Sequence, residues 1–373
     1  MNKEPVGKKV FVALSGGVDS SVSAALLQRE GYDVTGVFIK VWHPDFLPCT
    51  WKEERLDAMR VCAFLNIPFL TFDLESEYKD HVVNYMINEY ALGRTPNPDV
   101  MCNRYIKFGA FFKKAREKGA DYIATGHYAI KKESKSKNHP SVLSLGSKKK
   151  IRYQLHTGID TDKDQSYFLW TLNQEVLRRI LFPIGGYTKP EVRVLARKFK
   201  LLTSEKKDSQ GLCFMGNIDI KEFLGRYIPI SKGVVVNIKG EVVGSHRGVS
   251  FSTVGQRRGV GVTTRNPFEK PYYVIQKNAV ANTLIVSHDP LTQKKDSKEV
   301  YLEHENWIAD TLPAAGDYLA RFRHRQDPEE CELFFDLAGK PTVRFKRHQI
   351  GLSSGQSLVL YNGAHCIGGG IMK

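Results

Sequence analysis

Two cysteines lie in segments whose composition favours chemistry over packing. Cys102 closes the polar stretch GRTPNPDVMCN, and Cys213 follows a second polar stretch in KKDSQGLCFMG. Gly and an upstream Asp flank both, and two prolines precede Cys102, so we expect turns and exposed loops rather than apolar helices around these thiols. A thiolate is a nucleophile, and its pKa falls beside a cation or at a helix N-terminus. We expect the thiol pKa to be lowered by Lys206 and Lys207, which are close to Cys213 in the sequence, or by a helix that starts near Asn103.

The other cysteines and the histidines predict no metal site. Cys49, Cys62, Cys331 and Cys366 form no CxxC pair and no Cys/His cluster at zinc spacing, so we expect structural or incidental roles for them. His127 in ATGHY has no second ligand nearby in the sequence. No metal ligand is therefore assignable, and reduced thiols are expected in a chain with no secretory signal, which favours a cytoplasmic location.

Asp99 lies three residues before Cys102, within the same polar stretch. A carboxylate at this spacing can act as a general acid or base, or can orient a bound base. The structural alternative is an Asx-type turn after Pro98. The functional interpretation is preferred, with the alternative open.

A glycine-containing loop, Ser15–Ser21 with the sequence SGGVDSS, lies between an apolar strand and a helical segment. Glycines let backbone N–H groups approach an anion, and a helix N-terminus adds partial positive charge. The loop is neither GxxxxGK[ST] nor GxGxxG, so it is not one of the common nucleotide loops. We predict a phosphate-binding loop of another type.

The elements that must position these residues alternate between strand and helix over the first half of the chain. Apolar runs predict strands at 9–14, 33–42, 67–74 and 120–127, and helical periodicity predicts helices between them. Such alternation indicates a parallel sheet with helices on both faces, whose ligands lie beyond the carboxyl ends of the strands. Loops 15–20, 38–42, 95–102 and 125–128 would meet at that rim.

From about residue 230 the sequence changes to short, Gly-punctuated strands. The predicted architecture is therefore an α/β N-terminal domain with a Rossmann-like parallel sheet, a small linking module, and a C-terminal β-barrel-like domain. The predicted boundaries are 1–205, 206–280 and 281–373. No apolar run approaches the length of a membrane helix, so no membrane partner is expected.

The basic side chains are concentrated in one part of the chain. Residues 101–200 carry 22 Lys and Arg against 8 Asp and Glu, a net charge of +14, while the whole chain carries +15. A polyanion such as RNA would fit this excess. The alternative is that the lysine-rich segment 131–150 only aids solubility. The alternating Arg321, Arg323 and Arg325 are predicted to share one strand face, where they would meet RNA or pair with Glu329 and Glu330.

SGGVDS resembles the signature of the PP-loop ATP pyrophosphatases. Over essentially the full chain, the motifs ALSGGVDSSVSA, GRTPNPDVMCN, ATGHY, KDQSYFL, KKDSQGLCFMG, TVGQRRGVG, FRHRQ and SGQSLVLYNG resemble, in order, the tRNA-specific 2-thiouridylase family. Two positions depart from it. Ile39 stands where the family has Met, and His324 stands where it has Tyr.

The resemblance implies a role for each matching residue. Cys102 would be the catalytic thiol, Cys213 the persulfide carrier, and Asp99 the acid or base. The implied target-base loop is Asn97, Pro98 and Asp99. The implied ATP site is Ala13, Leu14, Ser15, Gly16, Gly17, Val18, Asp19, Ser20, Ile39 and Gly126. The implied tRNA contacts are His127, Lys163, Asp164, Gln165, Arg323, His324 and Gln356.

The implied reaction is ATP-dependent 2-thiolation of the wobble uridine of tRNA. AMP transfer would make the uridine 2-oxygen a leaving group, and a Cys213 persulfide would supply sulfur, either as hydrosulfide freed by Cys102 or with resolution as a Cys102–Cys213 disulfide. ATP with Mg²⁺, the tRNA anticodon stem-loop and a persulfide-donating carrier protein are the implied cofactors and partners. Another PP-loop ligase acting on a small metabolite, or a non-catalytic RNA-binding protein, are the competing hypotheses.

Overall fold

The structure is a computed structural model, and it describes residues 7–46, 51–135, 151–207, 213, 219–263, 270–290, 292 and 298–373. Cys49 and most of the lysine-rich segment 131–150 lie outside these residues. The strands are β1 Lys9–Ala13, β2 Asp33–Lys40, β3 Phe69–Asp73, β4 Tyr122–Ala124, β5 Ala129–Lys135, β6 Ile151–Thr157, β7 Ile180–Leu181, β8 Gly233–Asn237, β9 Val242–His246, β10 Tyr273–Asn278, β11 Thr283–Ser287, β12 Glu299–Trp307, β13 Gly316–Arg321, β14 Glu329–Phe335, β15 Pro341–Phe345, β16 Ser357–Asn362 and β17 His365–Met372.

Helices flank the first strands, as the alternation in the sequence predicts. They are α1 Val18–Arg29, α2 Trp51–Leu65, α3 Glu75–Tyr78, α4 Asn84–Ala91, α5 Pro98–Met101, α6 Phe111–Glu117, α7 Gln174–Arg178, α8 Lys189–Lys198 and α9 Ile220–Leu224. Two π-helical segments continue neighbouring helices: Lys79–Val83 joins α3 to α4, and Cys102–Ala110 joins α5 to α6.

A five-stranded parallel sheet in the order β3-β2-β1-β4-β7 forms the centre of the first domain. Its middle strand β1 is apolar on both faces, with Val10, Phe11 and Val12 all buried. Helices cover both sides of such a strand, which explains why its sequence shows no alternation. The carboxyl ends of β1, β2 and β4 lead into the loops predicted to meet at one rim.

The remaining strands form two antiparallel-rich units. A four-stranded sheet in the order β10-β11-β8-β9 makes the linking module, in which β8 and β11 run parallel. The six strands β12, β15, β14, β13, β16 and β17 form a barrel that the β12–β17 pair closes. Closure removes the exposed edges of an open sheet. The predicted C-terminal β-barrel-like domain is confirmed.

The barrel and the first domain share a sheet. The hairpin of β5 and β6 belongs to the chain between β4 and β7, yet β6 pairs with β17 at His365↔His156 and Cys366↔Leu155. Strand β17 therefore pairs with β6 near its start and with β12 further along. This pairing joins the barrel to the β5–β6 hairpin of the first domain through backbone hydrogen bonds, not to its five-stranded sheet. Among the described residues, no helix has the length and apolar character to cross a membrane.

Two local expectations were wrong. The stretch around Cys102 is not an extended loop, because Pro98 begins a helix that Asn97 caps by accepting the Val100 N–H at 3.2 Å. The Arg321–Arg325 stretch is not one strand, because β13 ends at Arg321 and Arg325 has a φ of 63°. The three arginines therefore do not share a strand face.

Candidate active site

The phosphate loop is held in shape by its own residues. Ser20 Oγ and Ser21 Oγ both donate to the Gly17 carbonyl, at 3.2 and 2.7 Å, and the Ser15 N–H donates to Ser20 Oγ at 3.3 Å. Gly17 precedes α1 in an extended conformation, and no side chain of the described residues caps this helix. The first N–H groups of α1 therefore have no side-chain cap that would compete with an anion for them.

Two glycines bring backbone against this loop. Gly16 has a φ of 71°, and a Cβ there would lie 2.7 Å from the Glu54 carbonyl oxygen. A Cβ on Gly126 would lie 2.8 Å from the Ser20 nitrogen. Both positions therefore need glycine, one for its conformation and both for the close approach. Behind the loop, Leu14, Val18 and Ile39 are buried, and Ala13 is partly buried.

Asp19 has partners that the sequence did not reveal. Lys189 Nζ lies 2.7 and 2.8 Å from the two Asp19 carboxylate oxygens, and the Tyr128 hydroxyl donates to Oδ1 at 2.8 Å. Lys189 stands 170 residues after Asp19 and is nearly buried at the start of α8. No local pattern links residues so far apart, so only the folded chain shows this ion pair.

The structure brings Cys102 and Cys213 into contact. Their Sγ atoms lie 3.4 Å apart, too far for a disulfide, and both are free thiols. Cys102 is buried at the start of the π-helical segment Cys102–Ala110. The backbone N–H and carbonyl of Cys213 are both hydrogen-bonded. Its N–H donates to Asp99 Oδ1 at 3.0 Å, and its carbonyl accepts from the Tyr78 hydroxyl at 2.8 Å.

The two thiols have opposite pKa shifts. Burial, with the neighbouring sulfur, raises the pKa of Cys102 well above its ordinary value. A hydrogen bond from Cys102 and the Lys107 ammonium lower the pKa of Cys213 against the effect of its burial. Cys102 is therefore the hydrogen-bond donor of the pair, and Cys213 is the thiol that ionises more readily. Burial also raises the pKa of Asp99, a shift that suits a proton-transfer group.

The cation beside the thiols is Lys107, not the predicted Lys206 or Lys207. Lys206 Nζ pairs with Asp57 at 2.6 Å, on the side of α2. Lys107 hydrogen-bonds the Cys213 thiol, and the nearby Cys213, Cys102 and Asp99 raise its pKa even though burial alone would lower it. A sequence signal exists but is easily missed. Cys102 and Lys107 are five residues apart, a spacing that a π-helix, with its i→i+5 bonds, places on one side.

The loop after β4 connects the thiols to the phosphate loop. Gly126 contacts the loop backbone, while the His127 ring packs 5.7 Å from Phe108 on the helix of Cys102. Thr125 Oγ1 lies 2.7 Å from His127 Nδ1. Burial, together with the charge of Lys107, holds the pKa of His127 well below its usual range. A neutral imidazole therefore stands between the two sites.

The predicted target-base loop and several predicted tRNA contacts lie at the junction with the barrel. Thr95 donates its N–H to the Ser354 carbonyl at 2.8 Å, which fixes the loop just before Asn97 and Pro98. Asn97 hydrogen-bonds the Tyr167 hydroxyl, which also reaches the barrel at the Ser357 carbonyl, 3.0 Å away. Gln356 lies close to this contact in sequence, and its Oε1 has no hydrogen-bond partner among the described residues.

Asp164 is buried in an ion pair rather than exposed. It accepts from Arg321 Nη1 at 2.6 Å, from the Ser166 hydroxyl at 2.9 Å and from the Gly158 N–H at 3.1 Å. Its carbonyl oxygen lies 3.1 Å from His324 Nε2. Asp164 and Arg321 thus join the first domain to the barrel and hold His324 beside the site.

Two of the other three predicted tRNA contacts flank Asp164 in the sequence, and the third follows Arg321 by two residues. Lys163 is partly buried next to Asp164, and Gln165 exchanges hydrogen bonds with the backbone of Tyr128. Arg323 is exposed and donates to the Gly351 carbonyl at 3.0 Å. Within the described part of the chain, no three His, Cys, Asp or Glu side chains come together as a metal site.

Known protein families match the three modules of the chain in order. Consecutive parts of the chain match families described as a tRNA methyl transferase HUP domain (8–217), a tRNA methyl transferase PRC-barrel domain (221–288) and an aminomethyltransferase beta-barrel domain (297–372). These describe a nucleotide-loop α/β domain followed by two β modules. The loop, sheet order and closed barrel described above agree with this class.

Two curated relatives narrow the class. A tRNA-specific 2-thiouridylase MnmA from Francisella tularensis subsp. novicida is 42% identical over 98% of this chain and 99% of its own length. Another from Shewanella frigidimarina is 41% identical over 100% of this chain and 98% of its own. The chain belongs to the tRNA-specific 2-thiouridylase family. Among solved structures, a U34-tRNA thiolase NcsA from Methanococcus maripaludis is 17% identical, with a TM-score of 0.36 over 57% of this chain and 63% of that one.

Proposed function

We propose that this protein catalyses the ATP-dependent 2-thiolation of the wobble uridine of tRNA, in the cytoplasm. The contact that carries the proposal is that between Cys102 and Cys213, 3.4 Å apart and beside Asp99 and Lys107. Gly126 and His127 link this pair to the phosphate loop. An activated oxygen and a sulfur nucleophile need such neighbouring sites, because the two must meet on one base.

In the first stage, the wobble uridine leaves the anticodon loop and reaches the thiol pair. Unstacking a single-stranded base costs less than opening a base pair. Asn97, Pro98 and Asp99 border the base, and the first turn of α1 binds the ATP phosphates with Ser15, Gly16, Gly17 and Ser20. The uridine 2-oxygen attacks the α-phosphorus, pyrophosphate leaves, and AMP becomes the leaving group on C2.

Magnesium enters with ATP as part of the substrate. Mg²⁺ in such sites binds phosphate oxygens and waters with one or two carboxylates. Asp19 is a carboxylate of the phosphate loop, and Lys189 already contacts both of its oxygens. The phosphates and waters would thus supply most of the ligands of the ion.

In the second stage, sulfur arrives on Cys213. Its thiolate attacks the outer sulfur of a carrier protein's persulfide, an S–S bond forms on Cys213, and the carrier leaves as a thiolate. Cys102 then loses its proton, with Asp99 as the acceptor, and attacks Cys213 Sγ. The Cys102–Cys213 disulfide forms and hydrosulfide leaves with the electron pair. Hydrosulfide adds at C2 and AMP departs, after which an external dithiol reduces the disulfide.

The tRNA covers the junction between the first domain and the barrel. Lys163, Gln165, Arg323, His324 and Gln356 are the side chains we assign to it there, with His127 nearer the base. Asp164 acts from inside, through its ion pair with Arg321. The basic excess of residues 101–200 attracts the tRNA backbone, so affinity falls as salt rises.

Sulfur incorporation into tRNA tests the proposal. The protein is incubated with tRNA, MgATP and a persulfide donor, and 2-thiouridine is measured by mass spectrometry of digested tRNA. We expect thiolation by the unsubstituted protein and by Cys331→Ser, whose thiol is buried in the barrel. Cys102→Ser and Cys213→Ser should have none. Full thiolation by both variants would contradict the proposal and leave a different PP-loop reaction.

A further inference from the structure

Lys107 interacts with both thiols and with ionisable side chains beside them. It hydrogen-bonds the Cys213 thiol, and its ammonium is close enough to Cys102, Asp99 and His127 to interact electrostatically with all three. The π-helical turn Cys102–Ala110 carries both Cys102 and Lys107, so one rigid segment fixes the attacking thiol and the cation together. Such π-turns are rare and are found frequently at functional sites.

The backbone groups of Cys213 itself are held by two side chains, and its sulfur is held by two others. Asp99 holds the Cys213 N–H, and Tyr78 holds the carbonyl. Cys102 donates to the sulfur at 3.4 Å, and Lys107 donates a second hydrogen bond to it. A sulfur anion in a buried pocket is stable only with such partners, because burial alone disfavours charge.

We propose that Lys107 is a catalytic residue of the sulfur relay, the transfer of sulfur from the carrier protein to Cys213 and on to the tRNA. Its ammonium contacts Cys213 Sγ. It balances the negative charge on this sulfur while the persulfide on Cys213 forms and while it breaks. The inference rests on the proposed thiolation and extends it to a residue outside the two thiols and Asp99. Lys107 stays protonated throughout and changes no bond of its own.

The charge balance of each step defines what Lys107 does. When Cys213 attacks the donor persulfide, its thiolate charge passes to the leaving carrier thiolate, and Lys107 first keeps Cys213 ionised. When Cys102 attacks Cys213, the S–SH bond breaks and the charge leaves as hydrosulfide. The two cysteines are oxidised to a disulfide while the transferred sulfur is reduced to sulfide. An ammonium at Cys213 stabilises the anion in both transition states.

Alkylation of Cys213 tests the role of Lys107 without tRNA or ATP. In a Cys102→Ser background, the rate of Cys213 modification by iodoacetamide is followed by peptide mass spectrometry as the pH is varied. With Lys107 present, we expect half-maximal reactivity below the ordinary thiol pKa of about 8.5. Lys107→Met should move the profile to higher pH and slow alkylation near neutral pH about tenfold or more, since one pKa unit is a factor of ten.

Two variants make the comparison specific. Lys107→Arg keeps the charge and should restore most of the low-pH reactivity. Lys113→Met removes an exposed lysine from the same helical run and should leave the profile unchanged. Identical profiles for Lys107 and Lys107→Met would overturn the proposal. If Lys107→Met does not fold, an ordinary or raised pKa for Cys213 in the Cys102→Ser protein alone would overturn it.

Thiolation assays separate this proposal from the proposed function. With a persulfide donor, Lys107→Met should lose thiolation near neutral pH and regain part of it as pH rises. Supplied with excess sulfide instead, Lys107→Met should approach the unsubstituted protein, because the relay is bypassed. Equal loss with sulfide and with persulfide would contradict a role in the relay. Absence of thiolation in the unsubstituted protein, with a Lys107-dependent alkylation profile, would contradict the proposed function alone.

Discussion

The phosphate loop is built from consecutive residues 15–21, whereas the thiol pair joins side chains that are 111 residues apart. Serine hydroxyls of the loop bond its own carbonyls, so its shape is mostly local. The thiol pair instead depends on a helix cap, a π-turn, and contacts from Asp99 and Tyr78 to a distant segment. The site we assign to oxygen activation is thus shaped by neighbouring residues, whereas the site we assign to sulfur delivery is formed by residues far apart in the sequence.

The largest expected effect separates the delivery of sulfur by the thiol pair from the activation of oxygen at the phosphate loop. Cys213→Ala should reduce thiolation at least about a thousandfold, the scale on which loss of a covalent nucleophile acts, while tRNA-dependent pyrophosphate release in a single turnover stays near its normal rate. Both are measured in one reaction, by labelled pyrophosphate and by 2-thiouridine content. Cys331→Ala is the matched control. If pyrophosphate release fell as steeply as thiolation, sulfur delivery and oxygen activation would not be separable.

Gly126→Ala should have the converse effect. Its Cβ would lie 2.8 Å from the Ser20 nitrogen, so the phosphate loop must shift. We expect pyrophosphate release to fall about a hundredfold, as misplacement of reacting groups by about 1 Å commonly does, with Cys213 alkylation unchanged. Gly186→Ala is the control, since a Cβ there meets no atom within 4 Å. Normal pyrophosphate release in Gly126→Ala would remove the loop contact from the mechanism.

The thiol pair and the tRNA contacts beside it should depend on the ion pair that joins the first domain to the barrel. Asp164→Asn leaves Arg321 buried without its carboxylate partner, and breaking such a pair costs about 3 kcal/mol or more of unfolding free energy. Urea denaturation measures this, and filter binding should show weaker tRNA affinity with ATP affinity retained. Glu299→Gln breaks an exposed pair with Arg344 and should lower the unfolding free energy far less than Asp164→Asn does. Equal costs for the two variants would contradict this assignment.

The smallest expected effect is a pH dependence at the β6–β17 junction. Burial lowers the pKa of His156 to about 4, and its ring stacks 5.1 Å from that of His365. The unfolded chain binds this proton near pH 6.5 but the folded chain does not, so His156 reduces stability as pH falls from about 6.5 towards 4. His156→Gln should flatten this part of the stability profile, measured by melting temperature, while the exposed His348→Gln should not. Parallel profiles for all three proteins would show that His156 does not contribute.

The sequence predicts what depends on neighbouring residues. Apolar strands predict the parallel sheet, which is confirmed, while phosphate binding by the SGGVDSS loop stays a prediction. The family resemblance is confirmed by relatives of 42 and 41% identity over nearly the full chain. The domain boundaries at 205 and 280, and the roles of the site residues, stay predictions.

What the sequence does not predict depends on distant contacts. The ion pairs of Asp19 with Lys189 and of Asp164 with Arg321 span 170 and 157 residues. Prolines and polar residues before Cys102 predict a loop, but Pro98 at the first turn, with the Asn97 cap, begins a helix. Lys107 escapes notice because its spacing from Cys102 matches a π-turn, which periodicity for an ordinary helix does not detect.

The sharing of strand β17 has a consequence for the order in which the chain matures. During synthesis β6 emerges more than 200 residues before His365 and Cys366, the residues that pair with it. Until then, one edge of the β5–β6 hairpin has no partner from the barrel, and an uncovered strand edge is a site of unwanted pairing. The β5–β6 hairpin therefore waits for the last strand of a different module before its open edge is paired, whereas the five-stranded sheet contains no strand of the barrel.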